Sequence, residues 1–382
     1  MYNPYENRNK ITFYLIIRLL SPLSHIGEAI GNQSNLRIEK VRDLENNSAE
    51  VFVYSGNALR GKILRRIGNS SFLNKLKEDG CSVNPTTHQT MFAGGFIDGS
   101  TGNDLELDKK IRTYLPGMSL LGAAKPSGLF GSKDSQMIPG RINVGGAYLV
   151  CLETAEYIYN TLPAAIPYNC LEAVKEIVEA KNKLEKARID NWLNNLDSVV
   201  STEKYRNALE KWMPCLENDL KPYTQYLTYR QQTRQDSLKS PELAKHLEQK
   251  VEGQMSLFGT TDKDKKKDKK EAKSQQMIMG DWLLQKGSTL LSRWDADITS
   301  VEEGFVVNAL SEFALAPYLG GKGNSGCGLV SVDVYYRSGQ NAGQYLTITE
   351  NSSTLSDRAK TKLADLSDFL NTTKTNTFNF LE

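Results

Sequence analysis

The run ITFYLIIRLL, Ile11 to Leu20, decides the architecture, because an apolar stretch this near the start of a chain is either a membrane segment or part of a core. It is too short to span a bilayer, which takes about 20 apolar residues, and Arg18 interrupts it. β-Branched and aromatic side chains pack well on a pleated surface, and Ser21-Pro22 ends the run. It reads as the first core strand, with no membrane association. Outward from it, Ser24 to Glu50 is polar, with Gly27 and Gly31 near its start. It reads as a long loop holding a short strand at Asn35 to Val41. Ala49 to Tyr54 is extended. Ser55 then caps a helix whose apolar stripe is Leu59, Ile63 and Ile67 and which Gly68 is expected to close.

The glycine-rich region from Cys81 to Cys151 shows no sustained helical period and reads as loops, hairpins and short helices. From Cys170 to about His246 the pattern turns helical, through LEAVKEIVEAKNKLEKARIDNWL and EKYRNALEKWMPCL. Asp262 to Lys273 carries seven lysines against four acids, with no apolar side chain larger than alanine; such composition cannot bury enough to stay ordered. Trp282 to Ser292 reads as a strand, Val301 to Ala316 as a helix ending at Pro317, Leu329 to Tyr336 as a strand and Leu355 to Leu370 as a surface helix. Setting the inserts aside leaves strand, helix, strand, helix, strand. This is an α+β chain with a split βαβ, ferredoxin-like or RRM-like core, its missing strand assigned to Arg141 to Leu152. The divisions are 1–80 for the first half of the core, 81–169 for the glycine-rich insertion and second strand, 170–254 for the helical insertion, 255–276 for the Lys-rich linker, 277–340 for the second half and 341–382 for a tail with a helix.

The chain's 382 residues, 39% hydrophobic and 24% charged, suffice for a large core and exclude global disorder. Net charge is only +2, so a polyanion-binding surface must come from local clustering of Lys and Arg. The five cysteines, Cys81, Cys151, Cys170, Cys215 and Cys327, lack metal-site spacing and fit a reducing cytoplasm, and no cofactor or metal is expected.

Within SGNALRGKILRRIG, Ser55 to Gly68, a helix start offers unpaired backbone N–H groups beside Ser55, Asn57, Arg60 and Lys62, with Arg65 and Arg66 following and no acid in between. That suits a phosphate, although a solvated basic face has the same composition. In LGGKGNSGCGLV, Leu319 to Val330, glycines permit close backbone approach and Lys322, Asn324 and Ser325 supply donors. This loop follows a helix and feeds a strand, the reverse of a nucleotide-binding P-loop or dinucleotide fingerprint. A tight connection needing glycine for geometry alone remains open. His25, in SPLSHIGEAIGN, could stack or donate to a phosphate, or be structural. Arg230 and Arg234, in TYRQQTRQD, would face one anion if helical, or pair with nearby acids. The carboxylate pairs Asp104/Asp108 and Asp295/Asp297 have no identifiable catalytic partner.

The order of strand, SPLSHIGEAIG, SGNALRGKILRR, and a late helix followed by LGGKGNSGCGLVSV resembles the RAMP superfamily of CRISPR-associated proteins, and within it the Cas-seven-type backbone subunit. The resemblance covers about a third of the chain, at both ends of the core. It implies a non-catalytic palm with inserted thumb and finger elements, binding a guide CRISPR RNA through His25, Ser55, Asn57, Arg60, Lys62, Lys322, Asn324 and Ser325. Arg65, Arg112, Lys125, Arg141, Arg230 and Arg234 are lesser candidates, and the thumb would be Ala93 to Arg141. The implied partners are the guide, a complementary target nucleic acid, neighbouring copies of the chain in a filament and other effector subunits. RNA-cleaving type III members are similar but carry an aspartate a few residues upstream of an Arg-Asp pair. Aligning on Arg42-Asp43 puts Arg37 near that place, with Glu39 the nearest acid, which speaks against cleavage. A type IV-like subunit is favoured, with type I the other choice. The enzymatic alternative is a ribonuclease using Glu39, Asp43 or His25 as acid–base groups.

Overall fold

The computed structural model describes residues 3–78, 83, 85–95, 105–125, 136–162, 171–194, 198–235 and 276–373. In chain order, β1 (Asn9–Leu19) leads to β2 (Ile26–Ile30), β3 (Gln33–Leu36), β4 (Ile38–Arg42) and β5 (Ser48–Tyr54). α1 (Gly56–Leu59) runs without a break into a π-helical stretch, Arg60–Gly68, and α2 (Asn69–Glu78). Next come α3 (Pro85–Ala93), α4 (Leu105–Tyr114), α5 (Pro116–Leu121), β6 (Ala123–Lys125), β7 (Gln136–Ile138), β8 (Ile142–Leu149) and α6 (Ala155–Thr161). α7 (Leu171–Asn194) and α8 (Ser198–Asp219) precede β9 (Leu227–Gln235), β10 (Gln276–Leu284) and β11 (Thr289–Ile298). α9 (Ser300–Phe313), β12 (Val330–Ser338), β13 (Asn341–Thr349), β14 (Ser352–Leu355) and α10 (Asp357–Thr373) complete the described chain.

The main sheet has the strand order β14-β13-β12-β1-β11-β8-β5-β4, with neighbouring strands antiparallel. β1 lies at its centre, which explains its unbroken apolar sequence: both faces are covered. Ile11, Phe13, Leu15, Ile17 and Leu19 point into one core, with the π-helical stretch, α5, α9 and α10. Tyr14 and Ile16 point into a second core, with α6, α7 and α8. α9 is buried almost all round, from Val301 to Leu310. Its start is set by a capping box in which Thr299 Oγ1 accepts from Glu302 N and Glu302 Oε2 accepts from Thr299 N. A second sheet, β2-β3-β10-β9, joins the segment after β1 to the strands after α8.

Several expectations need correction. Gly68 does not close the first helix; it lies inside it, where a Cβ would sit 2.9 Å from Phe305 Cζ and 3.0 Å from Ala309 Cβ. The glycine lets two helices approach. π-Helical winding also alters the buried stripe, because it takes more residues per turn: Leu59, Ile63, Leu64 and Gly68 are buried, while Ile67 is only half-buried. Ser24 to Glu50 is mostly strand. Trp282 to Ser292 spans two strands with a turn between them. Residues 341–355 extend the main sheet as β13 and β14 and are not a tail, and α10 buries Leu366, Phe369 and Leu370. β9 is a strand where a helix was expected. Asp262 to Lys273 lies outside the described residues. Among these residues no helix is long and apolar enough to cross a membrane; Cys151 and Cys327 are free and buried.

The close approach at Gly68 carries a prediction. Gly68→Val should destabilise the fold by about 1–3 kcal/mol, as overpacking of a tight interior does, measured as a lower urea midpoint with an unchanged slope.

Candidate nucleic-acid interface

Three segments singled out in the sequence are held against one another by hydrogen bonds at one end of the main sheet. β1 and β12 are antiparallel neighbours, with Leu19 opposite Val330, so the loop leaving β1 meets the glycine-rich loop entering β12. Leu20 N donates to Leu329 O at 2.9 Å, Gly328 N to Pro22 O at 2.8 Å and Leu329 N to Ser21 Oγ at 2.8 Å. Tyr54, the last residue of β5, ties in the third segment. Its hydroxyl accepts from Gly320 N at 3.0 Å, and its ring lies 4.2 Å from that of His25. Gly320 has φ of +78°, and a Cβ there would fall 2.2 Å from Ser24 O. Only glycine fits that crossing.

His25 anchors the helix start, because Ser55 N donates to its Nε2 at 3.1 Å. The ring is neutral on that nitrogen. Burial, followed by the Arg37 charge, lowers its pKa below the ordinary 6.5. The folded ring thus holds a proton less tightly than the unfolded one. As pH falls, the unfolded chain takes up the proton first, and stability is lost between 6.5 and the lower folded value. Urea melts across that range should show the loss in the wild type and a smaller one in His25→Gln.

Ser55 Oγ accepts from Ala58 N at 3.4 Å, and Asn57 is exposed. Past this cap, the π-helical winding groups the cations in pairs. Lys62 has its pKa lowered by burial and then by Arg66, and Arg65 by burial and then by Arg60. The charged neighbours acting on them are cations, so this strip concentrates positive charge that an anion would relieve. Arg65 also packs over Gly94, where a Cβ would lie 2.1 Å from its Nη1. In the other loop Asn324 and Ser325 are exposed, whereas Lys322 forms an ion pair with the buried Asp281. Arg230 reaches the same loop from β9, its Nη1 donating to Ser325 O at 3.2 Å. Sequence reasoning missed Tyr54 and Asp281. The aromatic residue ending EVFVY directly before Ser55, and the lone acid in MIMGDWLL, were the available signals.

Other candidates lie elsewhere. Arg141 Nη1 donates to Glu302 Oε1 at 3.0 Å and to Pro4 O at 2.8 Å, while the Arg112 guanidinium is taken up by Asp108, Ser119 and Pro139 O. The side chains of both are buried at the opposite end of β1, where these internal partners take up the guanidinium groups. Lys125 and Arg234 sit in β6 and β9, and their side chains lie outside the described residues. The cleft at that far end, ≈ 1060 Å³, contains the ion pairs of Arg8 with Asp297 at 3.5 Å and Arg293 with Asp295 at 3.0 Å.

Two carboxylates of the ribonuclease alternative are engaged in hydrogen bonds within the fold. Glu39 accepts from Tyr148 Oη at 3.0 Å and from Arg37 Nη2 at 3.3 Å. Burial, then the bond to Glu39, pushes the Tyr148 hydroxyl up to about 12, so it remains a donor. Asp43 Oδ1 caps a turn by accepting from Asn47 N at 2.8 Å. Among the described residues no cluster of His, Cys, Asp or Glu could hold a metal ion.

Two solved structures are similar to the chain. One is a chain of a structure described as a Type IV-B CRISPR Complex, 14% identical, with a TM-score of 0.44, covering 85% of this chain and 90% of that one. The other is Csc2 of Thermofilum pendens, 13% identical, with a TM-score of 0.36, covering 96% and 78%. No family model and no curated protein matches.

Proposed function

We propose that the chain binds the sugar-phosphate backbone of a single-stranded guide RNA, as a repeating, non-cleaving subunit of a Class 1 CRISPR effector ribonucleoprotein of the type IV-like kind. The observation that carries this reading is a convergence: the His25 loop, the Ser55 helix start and the Lys322 loop, far apart in sequence, form one hydrogen-bonded edge beside four cations, Arg60, Lys62, Arg65 and Arg66, that have no ion-pair partner among the described residues. Backbone N–H groups, a serine, asparagines and cations suit phosphate and ribose oxygens and read no base. The order β12-β1-β11-β8, with helices lying between β1 and β8 in the chain and α9 following β11, supports a ferredoxin-like palm. A complementary target, further copies of the chain and other effector subunits are the partners this role requires.

Co-expression with a CRISPR array tests it. The purified protein should carry RNA, assemble as side-by-side copies and lose RNA steeply as salt rises; an RNA-free monomer would refute the reading. Regularly spaced cuts in a labelled complementary RNA, with divalent metal present, would overturn the non-cleaving part.

A further inference from the structure

Asp281 is 2% exposed, and its two oxygens are in unequal positions. One holds Lys322, whereas Oδ2 is buried without a hydrogen-bond partner among the described residues. Arg230 is its direct partner across the β9–β10 pair, which places the two side chains on the same sheet face at neighbouring positions. Arg230 is half-paired as well. Its Nη1 holds Ser325 O, while Nε and Nη2 are buried and without partners among the described residues. Nε and Nη2 form the guanidinium edge that grips a carboxylate with two parallel hydrogen bonds. Two complementary groups that are each costly to leave buried and unpaired therefore sit side by side while a third group, Lys322, occupies the carboxylate.

We infer that Asp281 is shared between two cations: with the glycine-rich loop empty it holds Lys322 most of the time and the Nε–Nη2 edge of Arg230 for the rest, and it passes wholly to Arg230 when a phosphate draws Lys322 away. Arg230 and Asp281 are then positioning residues for anion binding by the loop, the anion being RNA phosphate if the function proposed above is right. The exchange leaves the net charge of the trio unchanged and satisfies both orphaned groups, which offsets the loss of the lysine pair. The loop has room for it, since a Cβ at Gly321 or Gly323 would meet nothing within 4 Å. Arg230 keeps the loop in place throughout, through Ser325 O.

The test compares the wild type with Asp281→Asn, Arg230→Met, the double variant and Lys322→Met, each confirmed as folded by thermal melting. The first readout needs no RNA. Acylation of Lys322 by acetic anhydride in the free protein, followed by mass spectrometry, should be severalfold faster in Asp281→Asn than in the wild type and slower in Arg230→Met, where the carboxylate has the lysine alone. Equal rates in the wild type and Arg230→Met overturn the sharing, and that comparison decides alone if Asp281→Asn does not fold. The second readout is binding of a labelled oligouridine. Asp281→Asn should bind more tightly and Arg230→Met and Lys322→Met more weakly, and Arg230→Met should cost less affinity in the Asp281→Asn background than in the wild type. Weakening by both single changes, additive in the double variant, means a structural role only and overturns the inference. If no protein binds oligouridine, the RNA reading fails, and the acylation order still decides whether Asp281 is shared.

Discussion

Arg60→Ala combined with Lys62→Ala is expected to weaken RNA binding by about tenfold or more at low salt and to flatten its salt dependence, the slope of log K against log [salt] falling by about 0.7 for each single-strand phosphate that is no longer neutralised. Both residues lie on the turns after the Ser55 cap. Lys62 belongs to the group of cations whose charged neighbours are other cations, so no internal ion pair compensates for its positive charge. The weakening should be the same for every RNA sequence, because phosphate binding carries no base information. Fluorescence anisotropy over a salt series measures it. An unchanged slope would remove this strip from the interface.

Arg141→Ala is expected to destabilise the fold by about 3–5 kcal/mol, the range for removing one partner of a buried ion pair. Its carboxylate partner, Glu302, has a side chain 0% exposed against 7% for Arg141. Glu302 also accepts from Ser119 Oγ at 2.5 Å and from Thr299 N at 2.9 Å. It thus secures both the start of α9 and the packing of that helix on α5, and losing the guanidinium leaves a buried charge on the capping box. Urea denaturation reads the effect. Replacing both partners, as Arg141→Met with Glu302→Gln, should recover part of the stability, since the neutral amide leaves no unpaired charge buried and can still accept from Thr299 N. Folded Arg141→Ala protein should retain the wild-type salt slope for RNA, which separates a structural arginine from an interface one.

The two variants show what reading residues in order can and cannot do. In the sequence Arg141 and Arg60 are both basic residues near glycines, and both are candidates for the same role. Their fates diverge because Arg141 precedes a strand whose neighbour, β11, ends at the capping box of α9, while Arg60 follows a strand that ends at the open edge. That difference lies in strand pairing between distant segments, which no local pattern encodes. The same holds for Lys322. Its loop is recognisable from its glycines, but its partner Asp281 comes from a strand of the second sheet, where β9, a strand in place of the expected helix, brings Arg230 alongside.

By itself the sequence determined the elements whose burial is periodic or continuous: β1 as a core strand, the Ser55 cap, the β8, α9 and β12 segments, and the three loops that became one edge. Hydrophobic pattern and capping chemistry act within a few residues, so they are written locally. Only the tertiary structure decided that the first helix continues past Gly68 with π-helical winding, that the polar stretch after β1 pairs into strands, and that the last strands widen the main sheet. It alone also sorted the cations into those buried in ion pairs and those without an ion-pair partner among the described residues. Those outcomes depend on which atoms meet across the fold, through close approach at Gly68 and Gly320, pairing of buried charges and closure of the sheet, and the free energy of such meetings belongs to pairs of residues far apart in the chain.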